Sequence, residues 1–144
     1  MKKLMVLLVA LVAMQGAALA GNDRPIAIAK LPLQAQQFIN EYFPGVEVSY
    51  AKVDNDVLFK DYEVIFVNGD KIEFDHNGKW TDVKSRTQLP DGIVPSAIVD
   101  YVEKQHKGTT IKGIERDRRY YEVKLANGLD IKFNMKYAVV GYDD

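Results

Sequence analysis

The 144-residue chain contains no cysteine. That absence excludes thiolate catalysis, Cys-ligated zinc, iron–sulfur clusters and the acylated cysteine of a lipoprotein. An excess of either charge is lacking too, since 19 Lys and Arg face 20 Asp and Glu. Such a chain has no global field with which to hold nucleic acid or an anionic membrane. Glycine and proline are few, at 10 and 5 residues, while 47% of residues are hydrophobic. Disordered and collagen-like chains are thereby excluded. What remains is an ordinary globular composition, long enough for one domain or two very small ones sharing a core.

One uninterrupted apolar run is present, from Leu4 to Met14, and it follows Lys2 and Lys3. A charged start, a short apolar stretch and a small-x-small end at Ala18 and Ala20 describe a secretory signal peptide, cut after Ala20. A spanning helix needs ~20 apolar residues, which this run does not reach. The expectation is a periplasmic or secreted protein that does not insert in the membrane. Without disulfides, its stability must come from an apolar core.

Beyond a lead at residues 21–30, the chain reads as one unit written twice, over 31–88 and 89–144. Leu31-Pro32 recurs as Leu89-Pro90, Tyr62-Glu63-Val64 as Tyr121-Glu122-Val123, and Asn68-Gly69 as Asn127-Gly128. Ile72 and Phe74 are matched in the same order by Ile131 and Phe133. In each unit a helical spacing comes first, over Leu33–Phe43 and again over about Ile93–His106. Period-two alternation follows, broken at Asn-Gly pairs that suit hairpin turns. These signals predict an α+β fold. Two tandem helix-plus-four-strand antiparallel repeats would pair into one continuous curved sheet with both helices on one face. The predicted core includes Phe38, Ile39, Val64, Phe66, Ile72, Phe74, Ile98, Val102, Val123, Leu125, Ile131 and Phe133.

Tyr62-Glu63-Val64, then Asn68 to Asp75, then His76-Asn77-Gly78-Lys79-Trp80 resemble the PepSY-like proteins, small exported proteins with a β-lactamase-inhibitor-protein-like fold. Tyr121 to Phe133 echo the pattern, while Asn134-Met135-Lys136-Tyr137 departs from its Asp-x-Asn-Gly turn. The resemblance implies a noncatalytic periplasmic protein that inhibits or regulates a peptidase or another exported enzyme.

The residues themselves offer little chemistry. Three Ser and two His, His76 and His106, form no recognisable nucleophile motif or metal-ligand pair. Arg116, Arg118 and Arg119 alternate with acids and read as a charged loop, so no nucleic-acid partner is expected. Calcium is the cofactor candidate, through Asp54 and Asp56, because hard cations favour carboxylate oxygens. Those acids equally suit a turn. The helix-free sheet face is the candidate surface for a protein or peptide partner. Trp80 and Tyr120 are its expected anchors, and Lys71, Glu73, Lys124 and Lys132 its charged rim.

Overall fold

The computed structural model describes residues 23–55 and 60–143. The signal sequence and Asp56 lie outside the described residues. Nine strands pair antiparallel in the order of the sequence. They are β1 (Asp23–Ile26), β2 (Val48–Asn55), β3 (Lys60–Phe66), β4 (Lys71–Phe74), β5 (Trp80–Lys84), β6 (Ile111–Arg116), β7 (Tyr120–Leu125), β8 (Asp130–Asn134) and β9 (Val139–Asp143). Two α-helices, α1 (Leu33–Tyr42) and α2 (Ser96–Gln105), complete the described structure with one 3-10 turn at Ile28–Lys30. The chain divides into two compact units between Trp80 and Thr81.

This corrects the expected architecture. The fold is one nine-stranded antiparallel sheet, mostly sheet, with two helices, rather than two helix-plus-four-strand repeats carrying both helices on one face. The additional strand is β1, whose Asp-Arg-Pro-Ile has no alternation and includes a proline. It pairs with β2 from Asp23↔Asp54 to Ile26↔Ala51, so the strand is created by its partner. That pairing also extends β2 as far as Asn55, beyond the alternating Val46–Tyr50 stretch.

In the first unit, α1 follows Pro32, whose carbonyl accepts from Ala35 and Gln36 at 3.0 and 3.1 Å. Proline suits a helix start because its missing N–H would have no intrahelical partner there. Phe43 stacks on Phe66 at 4.8 Å, and Phe38 meets Phe74 edge-on at 5.7 Å. Val64, Phe66, Ile72 and Phe74 are buried beneath that layer. Each such side chain contributes roughly 1.5–3 kcal/mol by leaving water. Phe38 itself is only half-buried.

In the second unit, α2 starts after Pro95 rather than after Leu89-Pro90, which lies in the connecting loop. Its face meets the sheet through Tyr101, edge-on to Phe133 at 5.5 Å. Val83, Ile98, Ile114, Val123, Ile131 and Phe133 are all fully buried.

The turns that follow β3, β4, β7 and β8 share one construction. Phe66 N–H donates to Asp70 O and Gly69 N–H to Phe66 O, both at 2.9 Å. Only the glycine takes positive φ, at 94°, while the Asn68 side chain accepts from Asp70 N–H. The loop is thus a type I turn closed by a left-handed residue, not a turn with two positive φ values. Residues 134–138 build the same turn without glycine, with Tyr137 in the left-handed position at φ 65°.

Candidate functional site

Alternation along each strand separates the apolar face, covered by a helix, from a polar one. In the first unit the polar face carries a chain of ion pairs across four strands. Lys52 Nζ lies 3.2 Å from Asp23 and 3.1 Å from Glu63. Lys71 Nζ lies 3.0 Å from Glu63 and 3.3 Å from Glu73. Glu63 sits at the centre with its side chain 16% exposed. Burial pushes its carboxyl up, but hydrogen bonds and charge from Lys71 and Lys52 outweigh that and hold it below its ordinary value. The hydrogen bond to Glu63 raises both lysines in turn, against the opposing effect of burial. Lys71 and Glu73, expected as rim residues, are therefore already paired on this face.

One step along the same face the charges do not alternate. Asp23 pairs in register with Asp54, and Asp54 with Asp61. Burial raises the Asp61 pKa, and the charges of Asp54, Glu73 and Asp75 raise it further, with His76 opposing. Asp75 Oδ1 accepts from Asn77 N–H at 2.9 Å and Lys79 N–H at 3.0 Å, which makes it a turn former. Among the described residues no three His, Cys, Asp or Glu side chains are gathered to hold a metal ion. Asp54 and its neighbours thus supply oxygens of the right chemistry for calcium without a ready-made set of ligands.

Trp80 is 8% exposed and belongs to the buried set, so it offers no exposed ring as an anchor. Its place beside the Asn77-Gly78 turn could be read from the sequence; its covering could not.

In the second unit Tyr120 lies on the polar face, half-exposed. Lys132 Nζ stands 4.3 Å from its ring centroid and Arg119 Cζ 5.2 Å, so the ring makes cation–π contacts with both. The turn before it is fixed by Asp117, whose Oδ1 accepts from Arg119 N–H at 2.6 Å and Tyr120 N–H at 3.0 Å. Those bonds hold the Asp117 carboxyl below its ordinary value. Lys124 donates to Asp130 at 3.2 Å. Asp82, Glu115 and Glu122 lie directly opposite one another on neighbouring strands. Burial and the charges of Glu115 and Asp130 raise the Glu122 pKa, against Lys124 and Lys132. Of the expected contacts, this face brings together Tyr120, Lys124 and Lys132. Arg119 is an additional member, missed because its alignment over the ring depends on the Asp117 turn.

Among the described residues, Ser96 and His106 do not converge. Ser96 begins α2 and His106 follows its last residue, about 15 Å away along the helix. The Ser85 hydroxyl accepts from Thr87 N–H at 3.2 Å. A cleft of about 350 Å³ between α2 and the loop at Gln88–Val94 is lined by apolar side chains, hydroxyls and the acids Asp91, Asp100 and Glu103. Among the described residues no helix is long and apolar enough to cross a membrane.

Comparison with known proteins agrees with this architecture. The model of a family described as "Putative beta-lactamase-inhibitor-like, PepSY-like" matches residues 60–140. A solved structure from Bacteroides vulgatus, described as a "putative periplasmic protein" of the DUF2874 family, is 44% identical. It superposes with a TM-score of 0.83 over 87% of this chain and 99% of its own. A "putative calcium-regulated periplasmic protein" from Bacteroides thetaiotaomicron is 42% identical, with a TM-score of 0.84 and the same coverage. A second B. vulgatus structure, a "putative periplasmic protein of unknown function", is 29% identical, with a TM-score of 0.80 over 85% of this chain and 99% of that one. No curated protein matches the chain. The periplasmic descriptions of these relatives agree with the expected periplasmic or secreted location.

Proposed function

The chain belongs to the PepSY-like family of periplasmic proteins, and from that premise we propose that it is a noncatalytic binding protein. Its partner is a protein or peptide, with a peptidase or another exported enzyme as the class to be inhibited or regulated. The observation that carries this reading is the Tyr120 ring, half-exposed on the polar sheet face and in cation–π contact with Lys132 and Arg119. A ring fixed before binding loses little conformational freedom on association, and aromatic side chains dominate binding energies. Lys124 and Lys132 form the rim beside it, and Lys71 and Glu73 remain contact candidates on the first unit's own polar face. Trp80 has no part in the proposal.

Capture from periplasmic extract, run with calcium and with chelator, identifies the partner. Against it, Tyr120→Ala weakens binding by about 2 kcal/mol or more while thermal unfolding stays unchanged. Lys124→Ala slows association, and less so in high salt. If substitutions on the exposed side of α2 abolish binding in a folded protein while Tyr120→Ala does not, the polar sheet face is not the interface.

A second reading is calcium responsiveness. It is supported by the in-register Asp23, Asp54 and Asp61 and by the description of the B. thetaiotaomicron relative as calcium-regulated. Calcium would act by drawing these carboxylates together and offsetting their repulsion; a calcium titration of thermal stability tests it.

A further inference from the structure

The cleft of about 350 Å³ between α2 and the loop at residues 88–94 lies wholly within the second unit. Its volume falls at the low end of small-molecule sites, about 300–1,000 Å³. Both walls are anchored. Leu89 N–H donates to Ile111 O at 3.0 Å, which ties the loop to the start of β6. On the other side Ser96, Val99, Asp100 and Glu103 recur at helical spacing, so one side of α2 lines the opening while Ile98 is buried beneath the helix. Leu89, Val94 and Val102 line the cleft and are buried, which makes its deep part apolar. Asp91, Asp100 and Glu103 line it and are exposed, which puts carboxylates at its mouth.

No lysine, arginine or histidine lines this cleft beside its three acids. Among the described residues no lysine or arginine forms an ion pair with Asp91, Asp100 or Glu103. Nor do these acids gather into a group able to hold a metal ion. Thr109 also lines the cleft, and its Oγ1 is buried without a hydrogen-bond partner. A hydroxyl left so costs free energy, which a donor on a bound molecule recovers. We propose that the cleft binds a small organic cation, a primary amine carried on a compact apolar body. The body lies against Leu89, Val94 and Val102, and the ammonium sits among the carboxylates, with Thr109 Oγ1 as acceptor for one of its N–H groups. A metal ion would leave the apolar surface unused, and a neutral apolar molecule would leave the acids unused. This ligand is distinct from the protein partner proposed for the polar sheet face and needs none of that face's residues.

Phenethylamine is a suitable probe, added to the exported protein and followed by backbone amide chemical shifts. The shifts should saturate and concentrate at residues 89–94 and 99–103. Methylammonium has the charge without the body, and phenethyl alcohol the body without the charge; each should bind about tenfold or more weakly. Asp100→Asn with Glu103→Gln should weaken phenethylamine by about tenfold or more, with thermal unfolding unchanged because both side chains are exposed. Tyr120→Ala should leave amine binding as it is, which separates this site from the polar sheet face. Absence of a saturable shift overturns the proposal, as does an affinity that the Asp100 and Glu103 changes leave intact. Equal binding of methylammonium overturns it by reducing the cleft to general attraction between charges. Shifts at these residues with calcium chloride and not with the amine make it a metal site. Binding of a short peptide with a free N-terminal phenylalanine, without binding of the free amine, overturns it by making the occupant a peptide.

Discussion

Glu63 shows how a charged residue on a sheet face acquires a structural role. Two lysines from neighbouring strands reach it, and each also holds a second acid. An isolated exposed pair is worth little, but a half-buried carboxylate with two donors loses both when neutralised. Its folded pKa lies below the ordinary 4.5, so its stabilisation is present above that value and is lost as pH falls through the folded pKa. Glu63→Gln should therefore destabilise the protein at neutral pH by on the order of 1 kcal/mol. The difference from the parent should close in acid, as followed by urea unfolding across pH. A constant gap at every pH would place the effect in packing. The sequence shows lysines and acids alternating; it does not show that Lys52 reaches back to Asp23, because that requires the β1–β2 register.

The turns argue at the scale of the element. Gly45 and Gly78 both take positive φ, at 73° and 86°. A Cβ on Gly45 would meet nothing within 4 Å, whereas one on Gly78 would come within 2.8 Å of Pro32 Cβ and 2.9 Å of Ala35 N. The β4–β5 turn thus packs against the first turn of α1, and only glycine permits that approach. Left-handed strain alone costs about 1–2 kcal/mol. Gly78→Ala should exceed Gly45→Ala by the further cost of moving α1, and thermal melts of the two variants compare them directly. Equal losses would show that the helix yields freely. The Asn-Gly signals located these turns in the sequence; the approach of the helix was not legible there. The departure at Asn134–Tyr137 proves superficial. Asn134 Oδ1 accepts from Lys136 and Ala138 N–H as Asp75 Oδ1 accepts from Asn77 and Lys79 N–H.

At the scale of the molecule, a ligand that binds only the folded state raises its stability by mass action, about 2.7 kcal/mol at one hundred times Kd. If calcium binds at the row of aspartates, millimolar calcium should raise Tm, and Asp54→Asn with Asp61→Asn should remove the increase. Without calcium, the same double change should leave stability unchanged or raised at neutral pH. Burial and like charges push the Asp61 pKa up, and the resulting penalty grows as pH rises above its ordinary value. A Tm indifferent to calcium leaves these acids as turn and surface residues.

The sequence by itself determined much of the core, where the two helices lie to within a few residues, and where most turns fall. These follow from local periodicity and from the backbone preferences of proline, glycine and asparagine. The expected core residues are buried, apart from the half-buried Phe38. Tertiary structure alone decided that Asp23–Ile26 is a strand, that Trp80 is covered, and that Tyr120 meets Lys132 and Arg119. Each of these depends on the partner that a residue meets across the sheet. Local pattern states which face a side chain occupies; register, set by residues distant in the chain, states what lies beside it.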